Sequence, residues 1–228
     1  GLSMPYFIKW DDAEYGLRAR AAGINTVSLP GAAVWHEPWG EKPDLLGWQA
    51  YYHQRNRWVT ALIYSPHSGG GVLPRTSPEV DLKHLLSSQY YVEDLRVMGL
   101  EDVLKGPEHL HATLASRAQD ARGMAKNYSD STLITDPEKI PDVVYYGVAN
   151  DRVPPNTRYK MMRGALSGLR HQLRPVRGGK DRLPEREYIS IDATWFNLAG
   201  VDSALVTDPS GSGVWIYRRD REKFFATA

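Results

Sequence analysis

The sequence predicts a mixed α/β chain in two parts. An α/β portion covers residues 1–68, and a mainly α-helical portion with a small β-hairpin or sheet covers residues 69–228. Three observations carry this. Short apolar runs alternate with helical patterns as far as Tyr64. Pro66 to Pro78, with three consecutive glycines, reads as the clearest linker. Beyond it, helical patterns dominate to about residue 173, and strand-like runs follow.

Each element has its own signal. Asp11 reads as the N-cap of a helix through Ala13, Glu14, Leu17, Ala19, Ala21 and Ala22, and Gly23 is its natural stop. Ile24 to Leu29 alternates apolar and polar residues, the pattern of a half-buried strand, and Pro30-Gly31 ends it. Ala32-Ala33-Val34-Trp35 is a second short apolar segment. A long helix is expected from Pro43 or Asp44 to about Tyr64, burying Leu45, Trp48, Tyr52, Val59, Leu62 and Ile63. Gln49, His53, Asn56 and Thr60 form a separate polar stripe on it. Helices are expected at 79–98, 107–126 and 156–173, with a turn of helix around Leu100–Lys105. Pro137 to Pro155 reads as loop, with Val143 to Tyr146 a candidate short strand. Residues 188–191, 204–207 and 213–217 read as strands, the last two flanking a hairpin loop at Asp208 to Ser212. No internal repeat is present.

Composition excludes several classes of function. Of 228 residues, 42% are hydrophobic and 24% charged, an ordinary globular balance. Lys plus Arg number 28 against 27 acids, which excludes a uniformly basic nucleic-acid binder and an acidic disordered tail. With no cysteine, disulfides, thiolate zinc sites, iron–sulfur clusters and a Cys nucleophile are all excluded. No apolar run approaches the roughly 20 residues of a membrane-spanning helix. An apolar run at Met4 to Trp10, so close to the first residue and followed at once by carboxylates, is expected of a piece of a longer protein. Charge is unevenly spread: residues 152–186 carry ten Lys or Arg against Asp181 and Glu185, a local +8 in a chain of net +1. Such a patch suits a phosphate-bearing partner or an anionic lipid surface, and equally a solvated helix face with a basic loop.

Chemistry-bearing residues concentrate near the start. Five of the seven tryptophans are Trp10, Trp35, Trp39, Trp48 and Trp58. Trp48 and Trp58 fit core packing, whereas Trp10 and Trp39 stand beside polar groups, where an indole can stack on a sugar ring. Asp11-Asp12-Ala13-Glu14 places three carboxylates at the mouth of a strand-to-helix turn. There one acid can cap while its neighbour faces a cleft as a general base, although first-turn charges complementing the helix dipole account for the spacing equally well. His36 ends an apolar run and is either a cleft-facing ligand or a hydrogen-bonded structural residue. His109 and His111 lie two apart on a helix, on different faces, a poor metal site.

Asp11, Asp12, Glu14, Tyr15 and Arg18 together resemble the acidic motif on the acceptor side of inverting family 2 glycosyltransferases of the GT-A fold. Joined with Phe7 to Trp10, Leu29 to Trp39, and Trp48 to Arg57, they resemble something narrower. They are similar to the polymerising galactofuranosyltransferases of actinobacterial cell-wall galactan synthesis. The likeness is ordered over residues 4–64 and looser at Gly106 to His109 and from Trp195 to Phe225.

The resemblance implies a fold, a reaction and a set of roles. Residues 1–68 would be the acceptor-side portion of a GT-A domain, and 69–228 a C-terminal domain. The reaction would be metal-dependent transfer of galactofuranose from UDP-galactofuranose to a lipid-linked galactan, with inversion. Asp12 would be the general base and Asp11 would help hold the acceptor. His36 would ligate Mn²⁺ or Mg²⁺, Lys9 and His53 would approach the diphosphate, and Trp39 would line the sugar cleft, with Trp10 as a further substrate contact. A cytoplasmic, peripheral place at the inner face of the cell membrane, no nucleic-acid partner and a homo-oligomer are implied too. The family's Asp-x-Asp motif has no counterpart in this sequence, so the chain by itself is expected not to turn over. Two rival readings stay open. One is a family 2 transferase for another sugar nucleotide; the other is a non-catalytic module binding carbohydrate and anionic lipid.

Overall fold

A computed structural model describes residues 4–32, 35, 46–144, 154–176 and 183–227. The chain forms two compact units, Gly1–Pro78 with Leu95–Arg122 and Glu79–Asp94 with Gly123–Ala228.

In the first unit, helix α1 spans Asp11–Ala21 and α2 spans Gln49–Tyr64. The N-cap of α1 is Trp10, in the left-handed region at φ 68°, rather than the expected Asp11. Asp11 is instead the first helical residue, because the turn closes one residue earlier, with the Glu14 N–H donating to the Trp10 carbonyl at 2.8 Å. Asp11, Asp12 and Glu14 then fill the first turn, where carboxylates complement the helix dipole. The helix stops as its sequence predicts. Gly23 has φ 77°, and the N–H groups of Gly23 and Ile24 donate to the Arg20 and Ala19 carbonyls in a Schellman closure.

The strand expected at Ile24 to Leu29 does not form. An extended segment needs a neighbour to take its backbone bonds. None of the described residues pairs with this one, and Ile24, Val27 and Leu29 remain 62–71% exposed. Ala33, Val34, Leu45 and the expected start of the long helix fall outside the described residues.

The burial of α2 departs from its apolar pattern. Leu62 and Ile63 are about half exposed, while Gln54, Arg55, Asn56 and Thr60 are buried with Tyr51 and Tyr52. The polar stripe faces inward because it has backbone and side-chain partners there. Tyr6 Oη pairs with Thr60 Oγ1 at 3.0 Å, and Gln54 Nε2 donates to Ser77 Oγ at 2.8 Å. Tyr51 Oη donates to Asp102 Oδ2 at 2.8 Å. Asp102 also accepts from Arg117 and meets His109. Burial opposes ionisation of Asp102, but these bonds outweigh it and hold the carboxyl below the usual range.

The glycines at 69–71 all take positive φ, as a turn requires, but the linker is shorter than predicted. Helix α3, Leu73–Leu86, begins inside it. Pro74 sits in the first turn, where a missing N–H costs nothing. Pro78 costs one bond in the next turn, and adjacent Ser77 is tied to Gln54 and Arg96. The helix expected at 79–98 is broken at Ser88, φ 56°, and α4 then runs unbroken over Tyr90–Leu104. Within α4, Gly99 lets α2 approach closely. A Cβ there would lie 2.9 Å from the Tyr51 carbonyl oxygen and 3.3 Å from the Arg55 nitrogen. The helix expected at 107–126 divides into α5, Pro107–Ala112, and α6, Arg117–Met124. Between them the Thr113 hydroxyl bonds the His109 carbonyl at 2.8 Å, competing with the helical ladder.

The second unit contains α7, Arg158–Gln172, within the helix expected at 156–173, started by an N-cap whose side chain accepts from Lys160 N. That cap is Thr157. Strands β1 (Arg186–Ile189), β2 (Ser203–Thr207) and β3 (Val214–Arg218) form one sheet in that order. β2 and β3 are the predicted antiparallel hairpin, and β1 pairs parallel to β2. Short helices α8 (Trp195–Leu198) and α9 (Arg221–Thr227) escaped the pattern reading. Val143 and Val144 are not in a strand, and Tyr145 and Tyr146 fall outside the described residues. One core packs the sheet residues Tyr188, Val206 and Tyr217 with Leu198, and a second joins Leu85, Leu86, Tyr90, Ala199 and Phe224.

Candidate functional site

The acidic pair is presented by an irregular loop rather than by a strand end. Residues 6–10 turn through three non-glycine positions of positive φ: Phe7 at 70°, Lys9 at 66° and Trp10 at 68°. Each costs on the order of 1–2 kcal/mol relative to ordinary backbone and persists only where the surroundings over-determine it. Two neighbours on α2 supply the constraint. Asn56 Nδ2 donates to the carbonyls of Tyr6, Ile8 and Lys9 at 3.2, 2.8 and 2.9 Å. Arg55 Nη2 donates to the Tyr6 carbonyl at 3.0 Å, and Arg55 Nε donates to Asn56 Oδ1 at 2.8 Å. The guanidinium itself lies over the Tyr51 and Tyr52 rings, 5.4 and 4.8 Å from their centroids.

A buried carboxylate anchors the other end of this segment. Glu14 accepts from Tyr64 Oη at 2.6 Å and from Met4 N at 3.4 Å, and pairs with Arg18 at 3.2 Å. With the third acid of the motif committed inside, the first two are left outside. Asp11 and Asp12 are exposed at the amino end of α1, and Asp12 Oδ1 accepts from Ala13 N at 2.7 Å.

The loop that precedes them meets a group of bases through Trp10 and Lys9. His53 on α2 is half-buried and meets the Trp10 ring edge-on at 5.9 Å between centroids. Burial, and then the charges of Arg96, Arg57 and Lys9, push its imidazole down to about 4. It is therefore neutral near pH 7, and the cations around it carry the positive potential. Arg57 lies one helical turn beyond His53 on α2, and Arg96 comes from α4. Arg96 itself is buried and donates to Ser77 Oγ at 3.3 Å, so its charge reaches His53 through the interior.

Of the residues singled out in the sequence, the structure brings Lys9 and Trp10 to His53, and Asp11 and Asp12 follow Trp10 in the first turn of α1. His36 and Trp39 lie outside the described residues. Trp48 packs against Tyr52 and Phe7, with the Arg122 guanidinium 4.0 Å from its ring centroid. Among the described residues, no three His, Asp or Glu side chains converge in a way that suits a metal ion. Pattern reading missed Arg55, Asn56, Arg57 and Arg96 as site residues. The i, i+4 spacing of His53 and Arg57 was a signal for one of them. The other three become apparent only when the loop and α4 are placed against α2.

Comparison with known proteins gives these residues a context. Residues 1–61 match the family model described as glycosyltransferase like family 2, and residues 74–228 match that of galactofuranosyltransferase-2, domain 3. The galactofuranosyltransferase GlfT2 of Mycobacterium tuberculosis (strain ATCC 25618 / H37Rv) is 37% identical over 228 residues, covering 99% of this chain and 36% of the relative. The protein of the same name from Mycolicibacterium smegmatis (strain ATCC 700084 / mc(2)155) is 38% identical over 231 residues, covering 99% and 35%. The chain thus spans about a third of the length of the curated relatives it matches. On the match over residues 74–228, it belongs to the galactofuranosyltransferase-2 family.

Proposed function

We propose that this chain supplies the acceptor side of a family 2 transferase that moves galactofuranose from UDP-galactofuranose to a lipid-linked galactan, with inversion. Residues 1–68 are the part of the GT-A domain that does this, and residues 69–228 form the C-terminal domain. The observation that carries the reading is the exposed Asp11–Asp12 pair, which begins α1 directly after a clamped loop whose Lys9 and Trp10 meet His53. Asp12 takes the proton of the acceptor hydroxyl as its oxygen bonds to the anomeric carbon. The bond from that carbon to the diphosphate breaks on the opposite face, and UDP departs with the electron pair. Asp11 holds the acceptor. Lys9 and His53 approach the diphosphate, with Arg57 and Arg96 adding charge. Trp10 and Trp39 give the sugar apolar faces.

A divalent ion, Mn²⁺ or Mg²⁺, would offset the charge of the leaving UDP when bound, and His36 is the ligand this chain is proposed to offer it. Among the described residues no three His, Asp or Glu side chains converge on such an ion, and His36 lies outside them. The proposal extends to a homo-oligomer held peripherally at the inner face of the membrane through the basic 152–186 segment. On α7, Tyr159, Met162 and Leu166 are exposed among Arg158, Lys160, Arg163 and Arg170, a combination suited to an anionic interface.

Asp12→Asn in the full-length protein tests the assignment. Loss of a general base should lower kcat by about 10²–10⁴-fold while acceptor binding persists. Unchanged turnover would remove Asp12 from the mechanism. A protein with no transferase activity, but with salt-sensitive glycan and vesicle binding, would favour the binding-module reading.

A further inference from the structure

We infer that Asn56 is a positioning residue for the transfer reaction, acting through the loop backbone to set where Asp12 stands. The inference rests on the reading of Asp12 as the general base.

A single amide nitrogen serves three carbonyls, those of residues 6, 8 and 9. In regular structure these three would not share one donor. They do so here because Phe7, Lys9 and Trp10 take positive φ and curl the backbone around the amide. The loop conformation and the Asn56 side chain therefore specify one another. Trp10 is also the N-cap of α1, so the same backbone that Asn56 grips fixes the first turn carrying Asp11 and Asp12. Arg55 adds a second level of constraint. Its Nε holds Asn56 Oδ1, which leaves the Asn56 NH₂ facing the loop, and its Nη2 takes the Tyr6 carbonyl. Asn56 is completely buried, and its side chain bonds loop carbonyls and Arg55 rather than the acidic side chains. Its effect must run through geometry. Lys9, whose carbonyl it holds, lies on the same loop, so both the acceptor side and the anion side are set by one amide.

The test compares Asn56→Ala and Asn56→Asp with Asp12→Asn. Asp preserves the shape of Asn and its bond from Arg55, but as a carboxylate it cannot donate to carbonyls. Hydrogen–deuterium exchange on the full chain should show the amides of residues 7–12 exchanging at least about tenfold faster in both variants, with α2 and α4 protected as before. In transfer from UDP-galactofuranose, kcat should fall by about 100-fold with KM changed only a few-fold. Small misplacement of a reacting group has that signature. A fully active Asn56→Ala protein beside an inactive Asp12→Asn protein overturns the inference alone. An active Asp12→Asn protein overturns the general-base reading, and the inference falls with it. Loss of protection throughout α2 and α4 in both Asn56 variants makes Asn56 a residue of folding, which also overturns it.

Discussion

His53 offers the most direct physical check on the candidate site. A histidine in water titrates near 6.5; here burial first, and then Arg96, Arg57 and Lys9, push it down to about 4. A difference of that size corresponds to about 3 kcal/mol between the two protonation states. His53 keeps partial contact with solvent, which screens the cationic share, so about 1–2 kcal/mol is expected in folding stability. The sign follows from which state refuses the proton. Between pH 6.5 and 4 the unfolded chain protonates at this position and the folded chain does not. Stability from His53 is therefore constant above pH 6.5 and is lost as pH falls towards 4. His53→Gln should abolish that loss, so the stability difference between the two proteins should narrow, or reverse, from pH 7.5 to pH 4.5 in denaturant titrations. The imidazole followed by NMR should titrate near 4. Arg96→Gln should raise that value without restoring 6.5, because burial is the larger cause and remains. Binding of UDP should also raise it, since a diphosphate neutralises the surrounding cations. Titration of His53 at 6 or above would refute both the burial of the ring and the cationic field around it.

Three further perturbations have clear outcomes. Gly99→Ala places a Cβ against the Tyr51 and Arg55 backbone of α2, and despite Ala's better helix propensity it should destabilise by about 1–3 kcal/mol; an unchanged denaturation midpoint would contradict the close α2–α4 approach. Asp130 accepts from Tyr91 N, but burial raises its carboxyl to about 6, so its favourable contribution is lost as pH rises from 3.8 through 6. Asp130→Asn, whose amide oxygen still accepts that bond, should gain about 1–3 kcal/mol over the parent at pH 7.5 and nothing at pH 3, measured by chemical denaturation. Finally, the chain should sediment with anionic vesicles at low salt and release at high salt, and neutralising Arg158, Lys160 and Arg163 together should weaken this; salt-independent binding would refute the electrostatic reading of α7.

The elements that the sequence announced are those whose signals are local. The end of α1 follows from Gly23, and the β2–β3 hairpin from two apolar runs around Asp208 to Ser212. Where the reading failed, the deciding partner was distant in sequence. The Ile24 to Leu29 pattern has the right alternation, but a strand is a property of two segments, and no described neighbour bonds to it. On α2, apolar spacing selected Leu62 and Ile63 for the interior. The interior instead took the face that could donate hydrogen bonds to a backbone whose carbonyls had no ladder to enter.

The same reasoning explains why the candidate site was half legible. Lys9, Trp10, Asp11 and Asp12 stand together in sequence, and His53 stands out by its chemistry, so a motif reading reaches all five. What it does not reach is the loop geometry that presents the first four. A loop with three residues at positive φ is unfavourable on its own, and nothing in Phe7, Lys9 or Trp10 as residue types invites that conformation. It exists because a polar stripe on a helix more than forty residues away satisfies it. The buried Arg55–Asn56 pair is thus both the apparent flaw in the amphipathic pattern of α2 and the clamp on the loop that leads into the exposed acidic pair. A helix face that breaks its own hydrophobic period marks a place where the fold spends core positions on holding backbone in shape. In this chain that place lies directly beneath the proposed chemistry.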